Sequence, residues 1–186
     1  MLKSILSAAI LSLSFGASAA TAASLDFTTL GSGTVPGATA MLPEATLTSG
    51  ADALYVGANS SNSICALNSV AYNCSNDLTV DFSTAVTNIS FNVEGWGVGD
   101  SIAVTLFDSM SNVLETTTIL ANGIYSFSSN GVTSMFLDDS STAYGVSYAD
   151  WTFDAATSPI PLPAGLPLLL TTLAGLGLVA RRRRKA

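Results

Sequence analysis

Hydrophobic and polar residues alternate with a period of two through most of the stretch between residues 24 and 154. In SIAVTLFD (residues 101–108), every second side chain from Ile102 to Leu106 is branched and aliphatic, which gives an extended strand one apolar face. No window of helical length shows a 3.6-residue period. The alternation predicts nine strands, at residues 24–30, 51–57, 78–83, 87–96, 101–108, 112–120, 124–129, 133–139 and 150–154.

Clusters of Gly, Asn, Asp and Ser separate these strands. Asn122 and Gly123 form the strongest hairpin signal, because both residues tolerate a positive φ. Nine short strands over about 135 residues favour an all-β fold, an antiparallel β-sandwich with a single core. Residues 31–45 and 57–77 are predicted to be long loops, where binding residues usually lie.

The first 22 residues have the plan of a secretory signal peptide. Lys3 supplies the positive n-region, and residues 5–15 form an apolar h-region that is short for a membrane span. The small residues that follow include two A-x-A-like cleavage points, at residues 17–19 and 20–22. We therefore expect signal peptidase to remove residues 1–22 and residues 23–157 to form one exported domain.

Residues 158–186 combine a proline-containing segment, an apolar run and a basic end. As a helix, the apolar run would be roughly 25 Å long, at the lower edge of what crosses a bilayer. Each basic residue would cost about 2.5–3.5 kcal/mol at the membrane centre, so the basic end stays in the cytoplasm as a stop-transfer signal. This end consists of Arg181, Arg182, Arg183, Arg184 and Lys185. A single transmembrane helix with the folded domain outside is predicted.

Residues 160–186 resemble the VPLPA-CTERM sorting signal, a relative of the PEP-CTERM signals that exosortases process in Gram-negative bacteria producing extracellular polysaccharide. The motif positions are Ile160, Pro161, Leu162, Pro163 and Ala164, with Ile160 where the family name implies Val. The resemblance implies a transient inner-membrane anchor, cleavage by an exosortase-type membrane enzyme, and a product that is released or held at the cell surface with exopolysaccharide.

Three other kinds of carboxy-terminal anchor share parts of this plan. A Gram-positive sortase signal needs a threonine that the motif lacks, and a lipid-anchor (GPI) tail normally ends in apolar residues. A plain single-pass anchor without processing needs only the short apolar span and its basic flank, so it remains the alternative.

Charge is distributed unevenly along the chain. All 13 carboxylates lie between Asp26 and Asp154, whereas no Lys, Arg or His occurs between Leu25 and Pro159. Without histidine, Ser-His-Asp and Cys-His catalysis, zinc hydrolase sites and facial-triad iron are excluded. Without cations, phosphate ligands and nucleic acids have no binding partner. Two carboxylates could serve a glycosidase, but no motif localises an acid and a base, so we expect a protein that is not an enzyme.

Cys65 and Cys74 are the two cysteines of the chain, and both lie within the second predicted loop. In an exported protein, such a pair forms a disulfide far more often than a metal site or a redox motif. The sequence therefore predicts a disulfide that closes this loop.

Calcium is the candidate ion for such an acidic segment, because it binds carboxylate and carbonyl oxygens. Asp26 near the start of the domain, with Asp150 and Asp154 in the last predicted strand, resembles the calcium placement in β-sandwich sugar-binding modules, where the ion joins the first strand to the last. An acidic edge strand without metal gives the same pattern. The body also resembles, in pattern and turn placement, the jelly-roll-like sandwich that proteins with PEP-type signals commonly carry.

Two functions follow from these observations. One is a non-catalytic surface or matrix protein associated with exopolysaccharide. The other is a calcium-dependent carbohydrate-binding module, in which exposed aromatic rings stack on sugars. Trp96 is the main stacking candidate, with Tyr72, Tyr144 and Tyr148 as others, and core packing is the alternative for each. Trp151 is predicted to be a core residue.

Overall fold

The structure, a computed structural model, describes residues 22–50, 53–68, 73–141 and 145–156. These residues contain twelve strands and one short 3₁₀ helix, Phe27–Leu30, and all pairings between the strands are antiparallel. The strands are β1 (Ala22–Ser24), β2 (Gly33–Val35), β3 (Thr39–Met41), β4 (Ala45–Ser49), β5 (Ala53–Val56), β6 (Ser63–Leu67), β7 (Leu78–Glu94), β8 (Ile102–Phe107), β9 (Val113–Ile119), β10 (Gly123–Phe127), β11 (Val132–Asp139) and β12 (Ser147–Ala155). The all-β class is confirmed.

The long strand β7 belongs to both halves of the fold. Its first part pairs with β4 and β11, and its second part pairs with β10 and β12. One half therefore has the order β3-β4-β7-β11-β8-β9, and the other has the order β10-β7-β12-β6-β5-β2, with β1 paired to the end of β12. Buried side chains from both halves form one hydrophobic cluster. The result is a β-sandwich-like domain with a single core.

A bulge in β7 changes which side chains face the core. Buried residues occupy even positions up to Val86 and odd positions from Ile89 onward, and Asn88 between them has φ 52°. One inserted residue reverses the inward and outward faces of a strand, and Asn tolerates a positive φ better than most residues. β12 has a similar irregularity at Asp150, also at φ 52°. The bulge explains why residues 78–83 and 87–96, predicted as two strands, form one.

Aromatic rings fill the centre of the core. Phe91 stacks on Trp151 with ring centroids 4.5 Å apart, and it meets Tyr148 edge-on at 5.9 Å. Such contacts add about 0.5–1.5 kcal/mol each beyond simple apolar burial. The core prediction for Trp151 is confirmed. Tyr148 is fully buried, so its prediction as a sugar-stacking residue is wrong.

Several predicted boundaries are wrong for local reasons. The strand predicted at residues 24–30 stops at Ser24, because Asp26 instead caps a 3₁₀ helix by accepting hydrogen bonds from the Thr28 backbone N–H (3.0 Å) and hydroxyl (2.5 Å). The segments predicted as long loops contain the short strands β2, β3 and β6. Strands of three to five residues carry too few alternating positions for the pattern to be recognised.

Residues 1–21 of the predicted signal peptide (residues 1–22) and the whole predicted sorting segment (residues 158–186) lie outside the described residues. Across the part of the chain that the structure does describe, no helix is long and apolar enough to cross a membrane.

Candidate functional site

Strand β6 is buried on both faces. Ile64 and Ala66 belong to the core cluster, whereas Cys65 faces away from the core and is nevertheless fully buried. A disulfide joins Cys65 to Cys74, with their Cα atoms 5.4 Å apart, which confirms the predicted bridge. Residues 73–77 follow as a covering segment, and the Asn76 side-chain amide donates to the Leu67 carbonyl oxygen (3.4 Å). The disulfide therefore holds a second layer of chain over the outer face of β6.

A cleft of about 370 Å³ opens beside the covering segment. This volume lies within the range of small-molecule sites. The cleft, called the Tyr55 cleft below, is lined by Thr34, Tyr55, Ala58, Asn59, Leu67, Asn73, Cys74, Gly95 and Gly145. Thr34, Tyr55 and Cys65 are direct cross-strand neighbours on β2, β5 and β6, so their side chains share the outer face.

Hydrogen bonds fix the part of the cleft wall that carries Asn59. The Asn59 side-chain amide donates to the Ser147 hydroxyl oxygen (2.8 Å), which ties the turn after β5 to the start of β12. Within that turn, the Ser63 hydroxyl donates to the Ser60 carbonyl oxygen (2.8 Å), and the Gly57 N–H donates to the Ser63 carbonyl oxygen (2.9 Å). The amide of Asn59 is therefore held at one place in the wall.

The chemistry of the Tyr55 cleft suits a neutral ligand with many hydroxyl groups. Its polar groups are two hydroxyls (one on the aromatic ring), two amides and the disulfide, and none of its side chains is charged. An aromatic face packs against the apolar side of a ring, while amides both donate and accept hydrogen bonds. Tyr55 and Asn59 are not among the residues predicted from the sequence. Alternation in residues 51–57 could have placed Tyr55 outward, since Leu54 and Val56 face the core.

A second hollow of about 560 Å³ brings two carboxylates together. Asp108 accepts hydrogen bonds from the backbone N–H groups of Met110 (2.8 Å) and Asn112 (2.9 Å) and from the Asn112 side-chain amide (2.9 Å). These bonds lower the pKa of Asp108. Asp81 accepts from the Ser134 hydroxyl (2.7 Å). A carboxylate kept ionised by the turn it closes is poorly suited to act as a general acid, so this pair does not favour the glycosidase alternative.

Three aspartates lie where β7 and β8 begin and β11 ends, and we call Asp77, Asp100 and Asp139 the aspartate cluster. Burial raises the pKa of Asp139 to about 6, and the charge of Asp100 contributes to the rise, against the nearby polar groups of Ser141 and Val146 that lower it. Burial also raises the pKa of Asp77. The cluster adjoins the Tyr55 cleft, because Val146 follows the lining residue Gly145.

The three aspartates proposed as calcium ligands have separate local roles. Asp26 caps the 3₁₀ helix, and Asp154 accepts from the Asn88 side-chain amide (2.9 Å). Asp150 is exposed at the β12 irregularity. Among residues 22–50, 53–68, 73–141 and 145–156, no group of three or more His, Cys, Asp or Glu side chains is placed to hold a metal ion.

Trp96 lies outside the Tyr55 cleft. It is half-buried against the core, and its backbone N–H donates to the Asn122 side-chain oxygen (2.9 Å). Tyr72, Tyr144, the sorting motif and the stop-transfer residues fall outside the described residues.

Comparisons with known proteins add little. No family model matches the chain, and no curated protein matches it. Among solved structures, the chain is similar to a truncated AlyQ with CBM32 and alginate lyase domains, at 16% sequence identity and a TM-score of 0.39 over 69% of this chain. The matched part spans 36% of that structure. A likeness this low defines neither a fold family nor a function for the chain.

Proposed function

We propose that this chain is an exported, non-catalytic protein of the cell surface or extracellular matrix whose β-domain binds a neutral exopolysaccharide in the Tyr55 cleft. The observation that carries the proposal is the composition of the cleft, which is lined by an aromatic ring and two amides, one of them fixed by a hydrogen bond, and by no charged side chain. A jelly-roll-like arrangement of the two sheet halves fits such a module.

Charge favours a neutral ligand over a charged one. The stretch between Leu25 and Pro159 has no Lys, Arg or His, so the negative charge of the domain would repel an anionic ligand without any compensating cation. A cationic ligand would find no carboxylate among the cleft residues. Neutral sugars need only stacking and hydrogen bonds, which the Tyr55 cleft supplies.

The terminal segments support the export part of the proposal. Signal peptidase removes residues 1–22, and residues 158–186 anchor the chain in the inner membrane until an exosortase-type enzyme cleaves near the motif at residues 160–164. The β-domain then reaches the cell surface or the medium.

A glycan array tests the binding part of the proposal. The full chain, purified in a mild detergent, is applied to immobilised neutral polysaccharides and oligosaccharides. We expect Tyr55→Ala to weaken binding about tenfold, because the ring contact is worth roughly 1 kcal/mol or more. Tyr125→Ala is the matched control, since Tyr125 is also half-buried but lies on β10, outside the cleft. Equal losses in both variants, or no binding by the unmodified chain, would rule the cleft out.

Calcium-dependent carbohydrate binding is the second candidate function. The buried carboxylates beside the cleft wall favour it, because an ion there would stabilise residues 145–147. Repeating the array with a chelator separates the two candidates: binding that survives chelation supports the first, and binding lost on chelation supports the second.

A further inference from the structure

The aspartate cluster is built from three separate segments of the chain. The Asp139 backbone N–H donates to a carboxylate oxygen of Asp77 (3.1 Å). Asp139 is the cross-strand partner of Ile102, and the Ser140 N–H donates to the Ser101 carbonyl oxygen (3.0 Å), which brings Asp100 to the same place. Asp100 is only 4% exposed and Asp139 only 7%.

Each of these two buried carboxylates is held by one oxygen only. Oδ2 of Asp100 accepts from the Gly97 N–H (2.6 Å), and Oδ1 of Asp139 accepts from the Ser141 N–H (2.9 Å). The other oxygens, Oδ1 of Asp100 and Oδ2 of Asp139, are buried without any hydrogen-bond partner. Buried polar atoms almost always have partners, so an unpartnered oxygen on each of two electrostatically interacting carboxylates indicates a missing ligand.

Tyr148 provides a further observation on a side chain outside the aspartate cluster. It is fully buried, and its hydroxyl has no hydrogen-bond partner. Burial raises the pKa of Tyr148, and the negative charges of Asp139 and Asp77 add to the rise. This third unpartnered oxygen is therefore electrostatically coupled to the aspartate cluster.

The domain itself offers no positive charge to this region. No Lys, Arg or His occurs between Leu25 and Pro159. Buried carboxylates are stable when they pair with a cation, bind a metal or take up a proton. Pairing with a basic side chain of this domain is impossible, which leaves the metal and the proton.

We propose that Asp100 and Asp139 bind one calcium ion through their unpartnered oxygens. Calcium accepts six to eight oxygen ligands, and carboxylates, carbonyls and hydroxyls all serve. Since no three acidic side chains are placed around a common point in the described residues, neutral oxygens complete the shell. The ion joins the end of β11 to the segment before β8, beside the start of β12. This proposal does not depend on what the Tyr55 cleft binds.

Calcium-dependent unfolding tests the proposal. The full chain in mild detergent is unfolded by heat in two solutions of equal ionic strength at pH 7.5, one with chelator and one with 10 mM calcium. Tryptophan fluorescence, to which the buried Trp151 contributes, monitors the unfolding. With a dissociation constant of about 0.1–1 mM, as in extracellular calcium modules, the melting temperature should rise by about 3–10 °C. Asp100→Asn and Asp139→Asn should remove this rise, because Asn keeps the shape of the side chain and loses its charge.

Two control variants show whether the calcium response comes from this site. Asp138→Asn removes the same charge from the exposed neighbour on β11 and should keep the full calcium response. A double change of Asp150→Asn and Asp154→Asn should also keep the calcium response. If that variant lost the response, the calcium site would lie at the other end of β12, and the proposal would be overturned.

The proposal also fails if the unmodified chain shows no shift at 10 mM calcium, or if Asp139→Asn shows the same shift. Should neither cluster variant fold, calorimetric titration of the unmodified chain decides the matter: one saturable calcium site supports the proposal, and the absence of saturable heat overturns it. Loss of glycan binding in Tyr55→Ala with an intact calcium response would separate the two sites.

Discussion

At the scale of single residues, the wall of the Tyr55 cleft depends on a close backbone approach at Gly145. Gly145 has φ 68°, and a Cβ added there would lie 1.9 Å from the carbonyl oxygen of Cys74. The next residue, Val146, donates its N–H to that same oxygen (3.1 Å). The absence of a side chain at position 145 therefore lets the covering segment pack against the chain that leads into β12.

We expect Gly145→Ala to destabilise the domain more than Gly131→Ala. Both glycines have positive φ, 68° and 81°, so Ala costs about 1–2 kcal/mol of backbone strain at either site. At Gly131 a Cβ meets nothing within 4 Å, whereas at Gly145 it must displace the Cys74 backbone. Urea unfolding of the two variants measures the difference. Equal destabilisation would mean that the covering segment does not pack as described.

At the scale of elements, β6 and the covering segment form one unit around the disulfide. Cys65 is completely buried because residues 73–77 lie over it, although its side chain points away from the core. The sequence predicted the bridge from its two cysteines and from the expectation that the domain is exported. It did not predict β6, because a strand covered on both faces shows no alternation over only five residues.

Removing the disulfide should loosen this unit. A Cys65→Ser, Cys74→Ser double variant should lose about 2–3 kcal/mol of unfolding free energy by loop-closure arithmetic, and hydrogen exchange should quicken in β6. Urea unfolding and exchange measured by mass spectrometry provide the readouts. Reductant added to the variant serves as the control and should have no further effect. A stability unchanged from the wild type would show that the bridge does not hold the covering segment.

Alternation predicted the longer strands and failed where local chemistry competed with it. The strands β8, β9, β10 and β11 lie within one residue of their predicted ranges at nearly every end. Asn88 and Asp150, whose positive φ values shift the register of β7 and β12, have no distinctive pattern around them. Pairing between the distant strands β8 and β11 brings Asp100 and Asp139 together, so the sequence could not show that these two carboxylates are buried.

At the scale of the whole molecule, the acidic residues and most of the basic residues lie in separate parts of the chain. The domain between Asp26 and Asp154 contains all 13 carboxylate side chains and no Lys, Arg or His. Five of the six basic residues stand together at residues 181–185. Translocating those five charges across a bilayer is costly, so we propose that the acidic domain is exported while the basic end remains in the cytoplasm. Under this proposal, processing at residues 160–164 separates the two.

The mass of the intact protein found outside the cytoplasm tests whether the chain is exported and cleaved at both ends. Protein from the cell surface and from the medium is measured whole and after fragmentation from both ends. The account predicts a chain that begins between residues 20 and 23, ends near Ala164, and carries two hydrogens fewer than the dithiol form because Cys65 and Cys74 are bonded. A surface protein that still carries Arg181, Arg182, Arg183, Arg184 and Lys185, or a chain found only in the cytoplasm, would contradict it.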